Sequence, residues 1–206
     1  MMKYYELTTL KTIIFGAGAA APGIQSFLSA KAAKGTLLGA WGADIGSLNE
    51  IYLLRGFDSL EALVAERQRV LMAENPFGCL EQLVDYQTET YLPFDFVPPV
   101  TAGEYGKVYE IRTYHTRLNG MAPTIEKWRA AIPARTEMSA MNIAMYALDG
   151  RPRFTQIWPY ESANQRAEIR ARSVAEGVWP PKGGPDWLSP EMTSTLAVPL
   201  GFSPLK

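Results

Sequence analysis

Residues 37–60, LLGAWGADIGSLNEIYLLRGFDSL, decide the fold. An apolar run from Leu37 to Trp41 leads into Asp44-Ile45-Gly46-Ser47-Leu48-Asn49, and the apolar pattern resumes at Ile51 to Leu54. Gly and Asn supply the positive φ that tight connections need, so the stretch reads as a β-hairpin. Beyond Phe57 the period lengthens from two to about 3.6 residues, with Leu60, Leu63, Val64, Val70 and Leu71 on one stripe of a helix. Asp58 and Ser59 suit the helix N-cap, and Glu61 completes a capping box with Asp58.

The same device returns at residues 138–163, MSAMNIAMYALDGRPRFTQIWPYESA, around an Asp149-Gly150 turn. Aligned without a gap, Gly46 falls on Asp149, Ile51 on Phe154, Phe57 on Tyr160 and Ser59 on Ser162, and Ser162 with Gln165 remakes the capping box. A repeat nearly half the chain long indicates a duplicated domain.

Around the first hairpin, Lys3 to Phe15 opens with a strand, Gly16 to Gly23 reads as a loop, and Ile24 to Ala33 as a short helix. After the helix at 59–73, a short helical piece is expected over 76–84 and a strand over 85–94. The second copy runs through a strand at 107–116, a helix near 123–131, the hairpin, a helix at 162–176 and a strand near 192–198. Both copies have the order β-α-β-β-α-β, the ferredoxin-like pattern, and the fold class is α+β. The repeats occupy 1–97 and 107–206, joined by the Pro- and Gly-rich linker 98–106. A four-stranded sheet with both helices on one face leaves the other bare, so the two sheets are expected to face each other as a barrel within one chain.

The 206 residues include 20 basic and 21 acidic side chains, which gives no field for nucleic acid or an anionic membrane. No apolar run is long enough to span a membrane, and the N-terminus, with its early Glu6, is a poor secretory signal; a cytoplasmic protein is expected. The single cysteine, Cys79, precludes an intrachain disulfide, and with the single histidine, His115, no metal-ligand spacing exists.

Three segments resemble the NIPSNAP family. Tyr109-Glu110-Ile111-Arg112-Thr113-Tyr114 is similar to its opening strand, with Tyr5-Glu6-Leu7-Thr8-Thr9 a weaker copy. Leu37 to Trp41 through Ile45 to Glu50 and on to Ser59 resembles its hairpin, and Gly201-Phe202-Ser203-Pro204-Leu205 its usual ending. The copies differ: Thr8 stands where repeat two has Arg112, and Ala144 where repeat one has Trp41. The resemblance implies the dimeric α+β barrel fold and no settled activity or cofactor. A small-molecule-binding or protein-interaction module, with a ligand in the barrel or a homodimer, is the reading it supports. The rival is an enzyme, since other barrels of this kind include cofactor-independent monooxygenases and haem-handling proteins.

Candidate site residues are weighed on strand alternation. Tyr109, Ile111, Thr113 and His115 share one face, which their apolar start assigns to the helix side, so His115 is expected in a structural or surface place. Glu110, Arg112 and Tyr114 are then expected inside the barrel, with Glu6 and Thr8 as counterparts, either pairing among themselves or meeting a guest. Trp41 either lines a pocket or fills the core, and His115 would be the axial ligand of any haem. Trp179 and Trp187 lie in a long loop, 177–190, where packing onto the sheet is expected. Gly16-Ala17-Gly18 after a strand is a weak dinucleotide motif, interrupted by Pro22-Gly23. Glu66 to Arg69 and Arg166 to Arg172 read as solvated helix faces.

Overall fold

The structure, a computed structural model, describes residues 2–206. Repeat one comprises β1 (Tyr4–Thr12), α1 (Ala17–Leu28), β2 (Thr36–Ile45), β3 (Glu50–Phe57), α2 (Leu60–Leu71) and β4 (Leu83–Pro93). Repeat two comprises β5 (Val108–Thr116), α3 (Met121–Met138), β6 (Ile143–Ala147), β7 (Arg153–Tyr160), α4 (Ala163–Ala175) and β8 (Leu188–Pro199). The strands close a barrel in the order β1-β3-β2-β8-β5-β7-β6-β4. Each repeat contributes an antiparallel four-stranded sheet, and the seams are β2 with β8 and β4 with β6. Closure pairs the edges that each sheet would otherwise expose. This is the tandem ferredoxin-like barrel read from the sequence.

The deciding hairpin forms as its residues dictate. Gly46 and Asn49 take φ of 124° and 62°, and Gly150 takes 66° at the second turn. Ser59 and Ser162 cap their helices, accepting hydrogen bonds from the Ala62 and Gln165 amides at 3.2 and 3.1 Å. The hairpins differ in one respect that an ungapped alignment hides. Trp41 pairs with Tyr52, whereas Met145 pairs with Thr155, so the first hairpin carries one extra residue and the counterpart of Trp41 is Met145, not Ala144.

Several boundaries depart from the sequence reading. Helix α1 begins at Ala17, where a loop was expected, because its alanines are strong helix formers and its buried Ala20 and Ile24 pack on the sheet despite Pro22. Strand β1 is antiparallel to both neighbours, so the glycines there open no dinucleotide crevice. Helix α3 extends to Met138 because the buried stripe continues through Trp128, Ile132 and Arg135. The expected helical piece at 76–84 is one 3-10 turn, Pro76–Gly78, and β8 starts at Leu188, inside the loop, by pairing with Thr116.

Three apolar clusters follow from the closure. One lies inside the barrel and draws on all eight strands, from Tyr5 and Leu7 through Trp41, Tyr91 and Tyr109 to Ala197. Each of the others lies between a sheet and its helices: Leu10, Ile24, Leu53, Val70 and Phe77 in repeat one, and Phe94, Trp128, Phe154 and Trp158 in repeat two. Val100 from the inter-repeat stretch and Leu205 from the C-terminal segment join the barrel cluster, and Gly103 bridges to Leu205. That end of the barrel is thus filled. Among the described residues no helix is long and apolar enough to cross a membrane.

Candidate functional site

The barrel interior divides into a packed half and an open half. Alternation along β1 sends Tyr5, Leu7 and Thr9 inward, and along β5 Tyr109, Ile111, Thr113 and His115. Toward the hairpin turns the inward residues become polar: Glu50 and Tyr52 on β3, Gln87 and Glu89 on β4, Arg153 on β7, and Thr193 and Thr195 on β8. Together with Ser47 and Asp149-Gly150-Arg151 of the turns they line a cavity of about 670 Å³ that opens at that end. Both repeats contribute to it, and Leu7 and Ile111 form its apolar floor.

A hydrogen-bonded chain runs along its wall. Thr113 and Thr155 hydroxyls meet at 2.7 Å, Thr155 donates to the Tyr91 hydroxyl at 3.1 Å, and Tyr91 donates to Glu89 Oε2 at 3.1 Å. Arg153 holds Glu89 at 2.6 Å and Asp149 at 3.1 Å. Burial opposes the Arg153 charge, but Tyr91 and Glu89 around it keep its pKa above the ordinary arginine value. Opposite, Tyr52 donates to Glu50, and burial followed by that bond pushes the phenol well above its ordinary value, so it stays a donor. His115 stands at the mouth, half-buried, and its Nδ1 is buried without a hydrogen-bond partner.

These positions correct the face assignment made from sequence. His115 and its alternates face the barrel, whereas Glu110, Arg112 and Tyr114 lie on the outer face beneath α4, as Glu6 and Thr8 lie beneath α2. The packed half of the closed interior takes Tyr109 and Ile111, while arginines from the helices neutralise the outward carboxylates. Trp41 is fully buried in the packed half, its ring 5.2 Å from that of Tyr109, and does not line the cavity. Trp179 packs on Trp128 and Trp158, as a packing role requires, while Trp187 stays partly exposed. Cys79 is buried, and burial pushes its thiol up to about 11, which makes it a poor nucleophile.

The helix faces read as solvated are also corrected. Glu66 is fully buried and binds Arg55 and Arg69, and Arg67 reaches Glu6 at 2.8 Å. In repeat two, Glu110 Oε1 accepts from Arg112, Arg166 and, at 2.9 Å, the Ser194 hydroxyl. Arg112 also donates to the Tyr114 hydroxyl at 2.6 Å, so the three predicted residues do meet, and the Glu110–Arg112 pair forms. Burial alone would raise the Glu110 carboxyl, but Arg166, Arg112 and Arg170 outweigh it and hold the pKa below the ordinary value.

Sequence reasoning missed Glu50, Glu89 and Arg153. The signal was present as period-two polarity in Glu50-x-Tyr52, Gln87-x-Glu89 and Arg153-x-Thr155. That these strand ends converge was not visible.

The NIPSNAP family profile matches residues 3–98 and 109–204, one copy per repeat. The chain belongs to the NIPSNAP family. Comparison with curated proteins gave no match. Among solved structures, an anthrone oxidase-like protein superimposes with a TM-score of 0.71 at 9% identity, covering 99% of this chain and 94% of that one. A candidate monooxygenase from Lactobacillus acidophilus NCFM gives 0.68 at 10% identity, with 97% and 94% covered. A haem-binding protein from Thermus thermophilus gives 0.54 at 11% identity, with 97% and 92% covered. At these identities the NIPSNAP chain shares the fold with them.

Haem does not suit this NIPSNAP cavity. A porphyrin needs an apolar slot, and the cavity that His115 lines has only Leu7 and Ile111 as an apolar floor against Glu50, Glu89, Asp149, Arg151 and Arg153. In repeat two the space between sheet and helices is filled by Phe94, Phe154, Trp128, Trp158 and Trp179. Among the described residues no three His, Cys, Asp or Glu side chains gather as a metal set.

Proposed function

We propose that this NIPSNAP protein is a small-molecule-binding barrel that takes its ligand into the open half of the lumen. The observation that carries the reading is the cavity of about 670 Å³, lined by both repeats, whose wall brings Glu50, Glu89, Arg153 and His115 together above Leu7 and Ile111. Its ionised lining has three carboxylates, Glu50, Glu89 and Asp149, against Arg151 and Arg153. A neutral or cationic guest carrying hydroxyl or amine groups and one apolar face matches that balance.

Native mass spectrometry of freshly purified protein, repeated after denaturation, tests the reading. A retained molecule released on denaturation and absent from His115→Ala supports it; a molecule retained equally by His115→Ala overturns the lumen assignment. The same native mass decides whether the chain forms the homodimer that belongs to this proposal.

The place of His115 on the cavity wall favours a second reading, an enzyme in which the imidazole takes a proton from an electron-rich guest, as cofactor-free oxygenation requires. Oxygen consumption on adding the identified guest, lost in a His115→Gln variant that still binds it, would separate the two.

A further inference from the structure

The duplication allows the two helix-to-sheet interfaces to be compared position by position. With the capping serines Ser59 and Ser162 superimposed, Arg67 falls on Arg170, Leu63 on Arg166, Glu66 on Ile169 and Val70 on Ser173. In repeat one Arg55, Arg67 and Arg69 meet Glu6 and Glu66, with Asp149 3.7 Å from Arg67, so three cations face three anions. In repeat two Arg112, Arg166 and Arg170 converge on Glu110 alone. The second carboxylate has become Ile169, an apolar helix position has become Arg166, and two positive charges are left over.

One of these charges, on Arg170, is held against desolvation. Burial, then the neighbouring Arg112 guanidinium, keeps Arg170 below the ordinary arginine value, and its one ion pair is a 3.8 Å approach to Glu110 Oε2. Glu110 Oε2 and Arg166 Nε are buried with no hydrogen-bond partner, on a Glu110 that is itself wholly buried. The arginines keep partial access to solvent, with side-chain exposures of 12, 25 and 32% for Arg112, Arg166 and Arg170. Helix α4 buries little more than Ser173, and Ser194 on β8 beside it is exposed.

We propose that Arg112, Arg166 and Arg170 form a site for a dianionic oxyanion, the phosphate group of a small phosphate monoester, on the outer face of the second sheet beneath the edge of α4. Two excess positive charges match the dianion, and guanidinium forks donate in the paired geometry that phosphate oxygens accept. Glu110 anchors the arginines from below and takes no part in binding. The site lies on the opposite face of the sheet from the lumen, so it stands or falls independently of the lumen reading.

The test is isothermal titration of the full chain with inorganic phosphate, and with acetate, at fixed ionic strength in chloride. Phosphate should bind saturably with one site per chain. Arg170→Ala, which removes a side chain without a hydrogen bond and so spares the fold, should weaken binding at least tenfold. Arg172→Ala, an exposed residue of the same helix, and His115→Ala in the lumen should each change it less than twofold. Absence of saturable phosphate binding to the wild-type chain, acetate binding as tightly as phosphate, or equal losses in Arg170→Ala and Arg172→Ala would each overturn the proposal.

Discussion

Replacing Arg153 by methionine removes the hub of the lumen wall. Its guanidinium donates to Glu89 Oε1 at 2.9 Å, to the Asp149 carbonyl at 2.6 Å, to the Arg151 carbonyl at 2.9 Å and to Asp149 Oδ1 at 3.1 Å. Methionine keeps much of the stem and loses all of these bonds. Breaking one side of a buried ion pair costs about 3–5 kcal/mol, because the partner charge is left desolvated. Glu89 keeps its bond from Tyr91 and Asp149 is partly hydrated, so the lower end applies, about 3 kcal/mol. In a chain of this size each kcal/mol lowers Tm by about 2–4 °C, so a drop of about 6–12 °C is expected by calorimetry. Adding Glu89→Gln removes the orphaned charge and should restore about half of the loss, which a urea-unfolding double-mutant cycle reads directly. A loss in Arg153→Met below about 1 kcal/mol would place the pair among weak surface bridges and refute the reasoning, as would a cycle without coupling.

Two further outcomes follow from the packing. The carboxyls of Glu66 and Glu110 are both held below their ordinary value of 4.5, against burial, by the arginines around them. The unfolded chain therefore takes up protons first as pH falls, and these groups contribute stability that is complete above about pH 5.5 and is lost progressively as pH drops through about 4.5 and below. A urea midpoint that stays constant down to about pH 3.5 would contradict this. In α1, a Cβ on Gly23 would stand 2.0 Å from the Gly78 carbonyl oxygen, so Gly23→Ala should destabilise by about 1–3 kcal/mol. Gly18 in the same helix faces open space, and Gly18→Ala should stabilise by about 0.5–1 kcal/mol; the same sign for both would show that propensity, not contact, governs α1.

The elements most legible in the sequence were those whose signals are local. Asp149-Gly150, Gly46 with Asn49, and the capping serines each specify a backbone conformation within a few residues, and the structure has all of them. Helix α1 was misread because Pro22 outweighed its alanines in a local reading, although burial of Ala20 and Ile24 decides the matter. The site was less legible for a different reason. Alternation groups Glu110, Arg112 and Tyr114 on one face of a strand without saying which face meets the helices, and a single inversion exchanges every inner and outer residue. Glu66 and Arg166 looked like solvated helix positions because charge usually marks the exposed side, and only their partners on the sheet explain their burial.

The sequence by itself determined the duplication, the order of strands and helices in each copy, the turns, the helix caps and the NIPSNAP membership, since each is written in neighbouring residues or in a repeat of them. The tertiary structure decided which strand face became the lumen, that Glu50, Glu89, Arg153 and His115 share one cavity, and that Glu110 gathers three arginines from two elements. Apart from the Glu110–Arg112 pair, those contacts join residues far apart in the chain. Their free energy depends on how the two sheets divide the dry volume between the lumen and the helix layers, a property of the closed barrel that no single segment carries.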